Sequence, residues 1–155
     1  MLSGRRLGVD VGTVRIGVAI SDFHAILASG LGNAERKDSL LDSCREVLKM
    51  VEGEELVAIY VGLPLNMAGN ATASTRDAIQ VGAALQTLVN CPVRFIDERL
   101  TTVAATAALR ASGKNSKSGR KIIDQVAATV ILENALQIER STGKFAGKPL
   151  EDLDD

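Results

Sequence analysis

This sequence predicts an α/β fold built on a mixed sheet with helices on its faces. Two observations carry that expectation. Three strand-like runs follow one another near the N-terminus, separated only by turn residues. Beyond them, strand-like runs alternate with segments of helical periodicity.

Arg6 to Val11 reads as a buried strand. Gly12-Thr13-Val14-Arg15 is a turn, and Ile16 to Ser21 returns as a second strand. Ala25 to Ala34 holds a third, loosened by Gly30 and Gly32. Asp38 or Ser39 then caps a helix whose apolar positions, from Leu40 through Cys44, Val47 and Leu48 to Val51, follow helical spacing. Leu56 to Val61 is a β-branched strand ending at Gly62-Leu63-Pro64. Ser74 to Val89 is a second helix and Val93 to Ile96 a further strand. Thr101 can cap a short alanine-rich helix reaching Ala111. A polar, flexible loop from Ser112 to Gly119 leads to the last helix, Arg120 to Ile138. Residues 1–143 make one domain, and 144–155 are expected to be a flexible acidic tail.

Composition narrows the functional classes. An apolar fraction of 46% supports a core, and 24% charged residues is ordinary for a soluble globular domain. No apolar run approaches the roughly 20 residues needed to span a bilayer. The N-terminus runs straight into the first strand without a signal-peptide core, so the expected location is cytoplasmic. Cys44 and Cys91 are too few for a disulfide scaffold or a zinc site. The lone His24 reads as a loop residue, which argues against histidine-based chemistry. Aromatics are only 3%, so stacking platforms for single-stranded bases are not expected.

Three acidic positions stand out. Asp10 ends the first strand in Val9-Asp10-Val11-Gly12-Thr13. Asp97 and Glu98 end another in Phe95-Ile96-Asp97-Glu98-Arg99. Asp124 lies near the start of the last helix, on one stripe with Ala127, Ala128, Ile131 and Ala135. Half-buried acids are costly unless paired or bound to a cation. Three such carboxylates can hold two divalent cations for phosphodiester cleavage, and hard oxygen ligands suit Mg²⁺ or Mn²⁺. Asp97 and Glu98 are neighbours on a strand and face opposite ways, so only one readily faces Asp10. The other is free to pair with Arg99 or to cap the next helix. Gly12 permits close backbone approach to a phosphate. The loop from Gly62 to Gly69 offers Asn66 at the same sheet edge. The net charge is −1, yet from Arg110 to Lys121 there are five basic residues and no acid. Such a segment is a candidate phosphate-contacting patch.

The element order resembles the ribonuclease H-like fold. The motifs together resemble the YqgF (RuvX) family, known as Holliday junction resolvases and pre-16S rRNA nucleases. The resemblance rests on Val9-Asp10-Val11-Gly12-Thr13 with Ile16-Gly17-Val18-Ala19, on Val61 to Gly69, on Asp97-Glu98-Arg99-Leu100-Thr101-Thr102, and on Ile123-Asp124-Gln125-Val126-Ala127-Ala128 with Ile131-Leu132. Ala68 departs from it, since family members often carry an acid there.

The resemblance implies a metal-dependent nuclease with Asp10, Glu98 and Asp124 as the metal-binding acids, and so favours Glu98 over Asp97. Thr13, Arg15 and Asn66 would then position phosphate, and Lys114, Lys117, Arg120 and Lys121 would contact the nucleic-acid backbone. Structured RNA such as pre-rRNA is the favoured substrate, with branched DNA the alternative. The scarcity of aromatics and of a long exposed apolar stripe points to a monomer or weak homodimer. Two other readings compete. Asp10-Val11-Gly12-Thr13 also fits actin-like kinases and ATPases, although the chain lacks room for their second lobe. A non-catalytic nucleic-acid-binding module could keep the same fold.

Overall fold

The computed structural model describes residues 2–100 and 117–153, with side chains for all of these except residues 100 and 117–125. Strands β1 (Arg5–Val11), β2 (Arg15–Ser21) and β3 (Ala28–Glu35) form an antiparallel meander. Strands β4 (Leu56–Leu63) and β5 (Val93–Asp97) add in parallel on the other side of β1. A short β6 (Lys148–Pro149) pairs antiparallel with β5. The sheet order is β3-β2-β1-β4-β5-β6, so β1 lies inside the sheet.

Alternation along each strand sorts the side chains onto two faces. Leu7, Val9, Val18, Val61 and Phe95 pack with Cys44 and Val47 of α1 (Leu40–Lys49) and with Ala78, Val81 and Leu85 of α2 (Ala73–Leu88). Ala19, Ala58, Tyr60 and Ile96 face the other way. They pack under Ala128, Leu132, Ala135 and Leu136 of α3 (Lys117–Thr142). Helices therefore cover both faces, as the sequence predicts.

Local chemistry sets the element ends. Ser39, rather than Asp38, caps α1 by accepting from the Asp42 amide at 3.0 Å. Thr72 and Thr75 form a reciprocal capping box that starts α2 at Ala73. The β2–β3 register jumps from Val18↔Gly32 to Ala19↔Gly30 and skips Leu31. Gly32 absorbs this bulge at φ +149°. The helix expected over 101–111 lies outside the described residues, as does most of the expected loop. Lys117–Gly119, expected in that loop, instead belong to the first turn of α3.

The expected flexible tail needs a larger correction. Ala146 is buried, and its amide donates to the Tyr60 hydroxyl at 3.2 Å. The Arg94 guanidinium donates to the carbonyls of Ala146 and Gly147 at 2.7 and 2.5 Å. Phe95 and Arg94 pair with Lys148 and Pro149, and Leu153 packs on the α1–α2 core. Two glycines at positive φ, Gly143 and Gly147, let the chain turn back after α3. Unpaired polar groups along β5 then make docking favourable.

A buried ion pair fastens α3 to the sheet. Arg6 is fully buried and bonds both carboxylate oxygens of Glu139, at 3.2 and 2.8 Å. The Tyr60 hydroxyl donates to the same carboxylate at 2.6 Å, and Arg6 also reaches the Gly4 carbonyl at 2.6 Å. Two residues along β1, Gly8 leaves no room for a side chain. A Cβ there would fall 2.7 Å from Leu132 Cβ and 2.8 Å from the Ala128 carbonyl oxygen.

Removing one member of a buried pair strands the other charge. Glu139→Ala is therefore expected to cost roughly 3–5 kcal/mol of folding stability. Urea denaturation of the variant checks this. A loss well under 1 kcal/mol would mean that apolar packing alone holds the helix.

Candidate active site

The parallel strands β1, β4 and β5 end at one edge of the sheet, where the acids gather. The register pairs Asp10 with Gly17 on β2. On the other side Val9 pairs with Val61, which sets Asp10 beside Gly62 of β4. Asp10 thus stands between two strand glycines on the face covered by α3. The space on the Gly62 side is used. A Cβ on Gly62 would lie 2.6 Å from Glu98 Oε1 and 2.5 Å from Ile131 Cδ1. The glycine is needed there for room, because the Glu98 carboxyl lies in the place of its missing side chain.

Glu98 follows β5 in a 3₁₀ turn, Glu98–Leu100, and faces Asp10. Burial pushes its carboxyl up to about 8, and the adjacent Asp10 adds to the effect through its charge and a direct hydrogen bond. Two acids so placed hold one proton between them more readily than two negative charges.

Asp97 has the opposite surroundings. Its carboxylate accepts from Arg99 Nη2 at 2.6 Å, from Arg99 Nε at 3.1 Å and from the Arg99 backbone amide at 2.9 Å. The Arg99 contact holds it below the usual carboxylate range. The strand alternation that left Asp97 and Glu98 undecided thus resolves with Glu98 at Asp10 and Asp97 paired with Arg99.

Asp124 belongs to α3, one turn before Ala128. Along β1, Arg6 meets Glu139 while Gly8 meets Leu132 and Ala128. Continuing to Asp10 moves toward the N-terminal end of α3, where residue 124 lies. Its side chain is outside the described ones, as are those of Lys117, Arg120 and Lys121. Lys114 lies outside the described residues altogether. Among the described residues, no group of three acidic, His or Cys side chains gathers at metal-binding distances.

The remaining expected positions differ in what they can offer. Thr13 is exposed at the tip of the β1–β2 turn, and Arg15 opens β2 beside it. Asn66 is exposed, but its Oδ1 accepts from the amides of Ala68 and Asn70 at 3.0 and 2.9 Å. That oxygen shapes its own loop. His24 lies in the β2–β3 loop, edge-on to Phe23.

Sequence reasoning missed Arg36 and Asp77. Arg36 donates to the Gly12 carbonyl at 2.9 Å, and to Asp77 of α2 at 2.9 and 3.2 Å. Its backbone amide donates to the Val14 carbonyl at 3.0 Å. The turn after Asp10 is therefore tied to α2. No local motif marks this pair, because its members are 41 residues apart.

The Glu98 environment has a pH signature. Between about 4.5 and 8 the folded protein keeps a proton that the unfolded chain has released. Stability should therefore fall as pH rises through that window. Glu98→Gln cannot ionise. In chelating buffer its advantage in melting temperature over the parent protein should widen from pH 5 to 8 and then level off. A gap independent of pH would show that Glu98 is not held protonated.

Comparison with known proteins gives the context of this arrangement. The family model of RuvX, described as Holliday junction resolvase, matches residues 4–138. A proposed pre-16S rRNA nuclease of Leifsonia xyli subsp. xyli is 50% identical over 151 residues, covering 97% of both chains. Another, from Clavibacter michiganensis subsp. michiganensis, is 44% identical and covers 95% of this chain and 91% of its own. In fold, the chain is similar to RuvC of Thermus thermophilus, solved in complex with a Holliday junction substrate. The TM-score is 0.55 at 17% identity, over 94% of this chain and 99% of that one. The mixed sheet with helices on both faces is thus of the ribonuclease H-like kind expected from the element order. With the family model spanning most of its length and relatives at this identity, the chain belongs to the RuvX family.

Proposed function

We propose that the protein is a metal-dependent endonuclease that cleaves phosphodiester bonds in structured nucleic acid, with the 5′ end of pre-16S rRNA as its substrate. One observation carries the reading. Asp10 and Glu98 meet at the strand ends, in a cradle that Gly62 leaves open, at a charge cost that only a proton or a cation relieves. The names of the relatives support the ribosomal substrate.

This donor set of hard oxygens fits Mg²⁺ or Mn²⁺. Held by Asp10, Glu98 and Asp124, such ions would supply an activated water and charge stabilisation at the leaving oxygen. The chain's own groups do the rest. Asp10 is fixed by its place inside the sheet, and Glu98 by its turn and the Gly62 cradle. Thr13 on the β1–β2 turn, Arg15 at the start of β2 and Asn66 on the loop after β4 would position phosphate there. Arg36 holds the β1–β2 turn against α2. Lys114, Lys117, Arg120 and Lys121 precede Asp124 and would meet the nucleic-acid backbone. The protein acts in the cytoplasm as a monomer or weak homodimer, and the segment after residue 143 is part of the same folded unit. No helix among the described residues is long and apolar enough to cross a membrane.

Resolution of branched DNA is the second reading, favoured by the description of the matching family. A panel of pre-16S rRNA, four-way DNA junction and plain duplex separates the two. Paired symmetric cuts in the junction without RNA trimming would replace the first reading by the second.

Asp10→Asn, Asp124→Asn and Glu98→Gln should each reduce cleavage by more than about 100-fold, beyond the effect of groups that only orient a ligand. Asp97→Asn should keep its cleavage rate at saturating substrate, with any loss tracking stability or affinity. Rates at matched Mg²⁺ or Mn²⁺ check this. A folded Asp97→Asn without activity, beside an active Glu98→Gln, would reverse the two assignments.

Replacing Lys114, Lys117, Arg120 and Lys121 by alanine should flatten the log-log salt dependence of binding by about three. Binding isotherms over a salt series measure it. An unchanged slope would remove these residues from the interface.

A further inference from the structure

A cleft of about 590 Å³ opens beside the candidate active site around the outer margin of β5, with Phe95 and Asp97 from one face and Ile96 and Ile138 from the other. Leu63, Leu65, Ile79 and Phe95 give it apolar walls, and Asp97 and Arg99 line it as well. Its size falls in the range typical of ligand sites, roughly 300–1,000 Å³. Nothing in the Asp10–Glu98 chemistry uses it.

Arg99 is the informative residue. Its guanidinium is held by Asp97 through Nη2 at 2.6 Å and Nε at 3.1 Å. It also lies against the loop at Gly69, where a Cβ would fall 2.9 Å from Nη1. Gly69 has φ +85°, so the loop both bends and yields space at this point. The Arg99 side chain is nevertheless 43% exposed. A planar cation is thus fixed in orientation, compensated in charge and still open to solvent.

Such a group is a poor phosphate clamp, because the Asp97 carboxylate repels an anion. It is a good stacking surface, since guanidinium planes stack on nucleobases. A nucleobase also matches the cleft, with the apolar walls and the Arg99 plane for its faces and Asn70 and Lys148 for its polar edge. The low aromatic content argued against stacking platforms, but a pinned arginine provides a plane without an aromatic ring.

We propose that this cleft takes one unpaired nucleobase of the substrate strand, stacked on Arg99, next to the scissile phosphodiester. Continuity carries the placement. Asp97 and Glu98 are consecutive, about 3.8 Å apart at Cα, and face opposite sides of the sheet edge. A strand that presents its phosphodiester to Asp10 and Glu98 crosses this edge, and a neighbouring base reaches the cleft. The proposal rests on the nuclease reading and assigns Asp97 as the residue that positions Arg99.

The test is binding without catalysis. Fluorescence anisotropy in chelating buffer compares an intact structured substrate with a series carrying one abasic nucleotide at each position near the cut. The parent protein should lose about 10-fold in affinity at one position and little elsewhere. Arg99→Lys keeps the charge and loses the plane, and should lose the same factor on the intact substrate. It should lose nothing further on the abasic one. Asp97→Asn, which frees the guanidinium, should show the same coupling, with its melting temperature confirming the fold. Equal affinity for intact and abasic substrates at every position overturns the subsite. Losses that simply multiply overturn the role of Arg99. Adenosine monophosphate provides the second arm: competition by the free nucleotide without any abasic effect would assign the cleft to a diffusible ligand and overturn the strand proposal. Cleavage of the intact substrate is scored separately. A protein that cuts but shows no abasic effect keeps its nuclease reading and loses only this site.

Discussion

The depth at which α3 sits on the sheet governs the rest of the molecule. Gly8 lets Leu132 and the Ala128 carbonyl approach the β1 backbone to distances no side chain would allow. Fifteen residues along from Asp124, the Arg6–Glu139 pair fixes how far α3 slides along its axis. Burying two charges costs several kcal/mol per ion before their attraction repays it. The pair is therefore better understood as a registration device than as a source of net stability. Tyr60 and the Gly4 carbonyl add hydrogen bonds to the same pair, and these form only in this register. The same helix brings Ile131 against Gly62 and closes one wall of the Glu98 cradle.

Within that frame two consecutive acids behave in opposite ways. Glu98 is turned inward, away from water and toward another carboxylate, and its proton is held. Asp97 is turned outward onto a guanidinium, and its charge is held. No difference in residue chemistry explains this, since both are carboxylic acids, one the last residue of β5 and the other the first of the 3₁₀ turn that follows. Their surroundings do: Glu98 meets Asp10 and the Gly62 cradle, and Asp97 meets Arg99. Stability is given up at Glu98, where a charge is unfavourable in the isolated protein. The surrounding core offsets that cost, because Val9, Val61 and Ile96 on the neighbouring strand positions are almost wholly buried.

Much of this was legible in the sequence, and the reasons differ by element. Apolar strand runs and helical spacing located β1, β2, β4, β5, α1 and α2 within a few residues, because burial on a sheet face imposes its period directly. Asp10 and Glu98, which the structure brings together, stood out because each follows an apolar run at a strand end. Long-range polar pairs were not. Arg6 and Glu139 are 133 residues apart, and Arg36 and Asp77 are 41 apart. Each reads locally as an ordinary surface charge. The C-terminal segment was misjudged for a related reason. Its charged composition looks like a frayed end, while the features that dock it are spread among Gly143, Ala146, Gly147 and the distant Arg94. The start of α3 was placed late because Ser118 and Gly119 suggest a loop, yet the backbone there is helical from Lys117.

The docked C-terminus changes how the two sides of the sheet edge relate. The RuvX match covers residues 4–138 and includes Asp10, Glu98 and Asp124. The neighbouring cleft is completed by Gly147, Lys148 and Leu153, which lie beyond that match. Hydrolysis and recognition would then draw on different parts of the chain. The acids depend on β1, β5 and α3, whose mutual positions are set by the buried core. The outer wall of the cleft depends on a two-residue strand held by Arg94 and on a short 3₁₀ turn, Leu150–Asp152. That segment lies at the margin of the sheet, on the far side of β5 from β1. A fold organised this way can alter the exposed side of the cleft while the Asp10–Glu98 pair keeps its place.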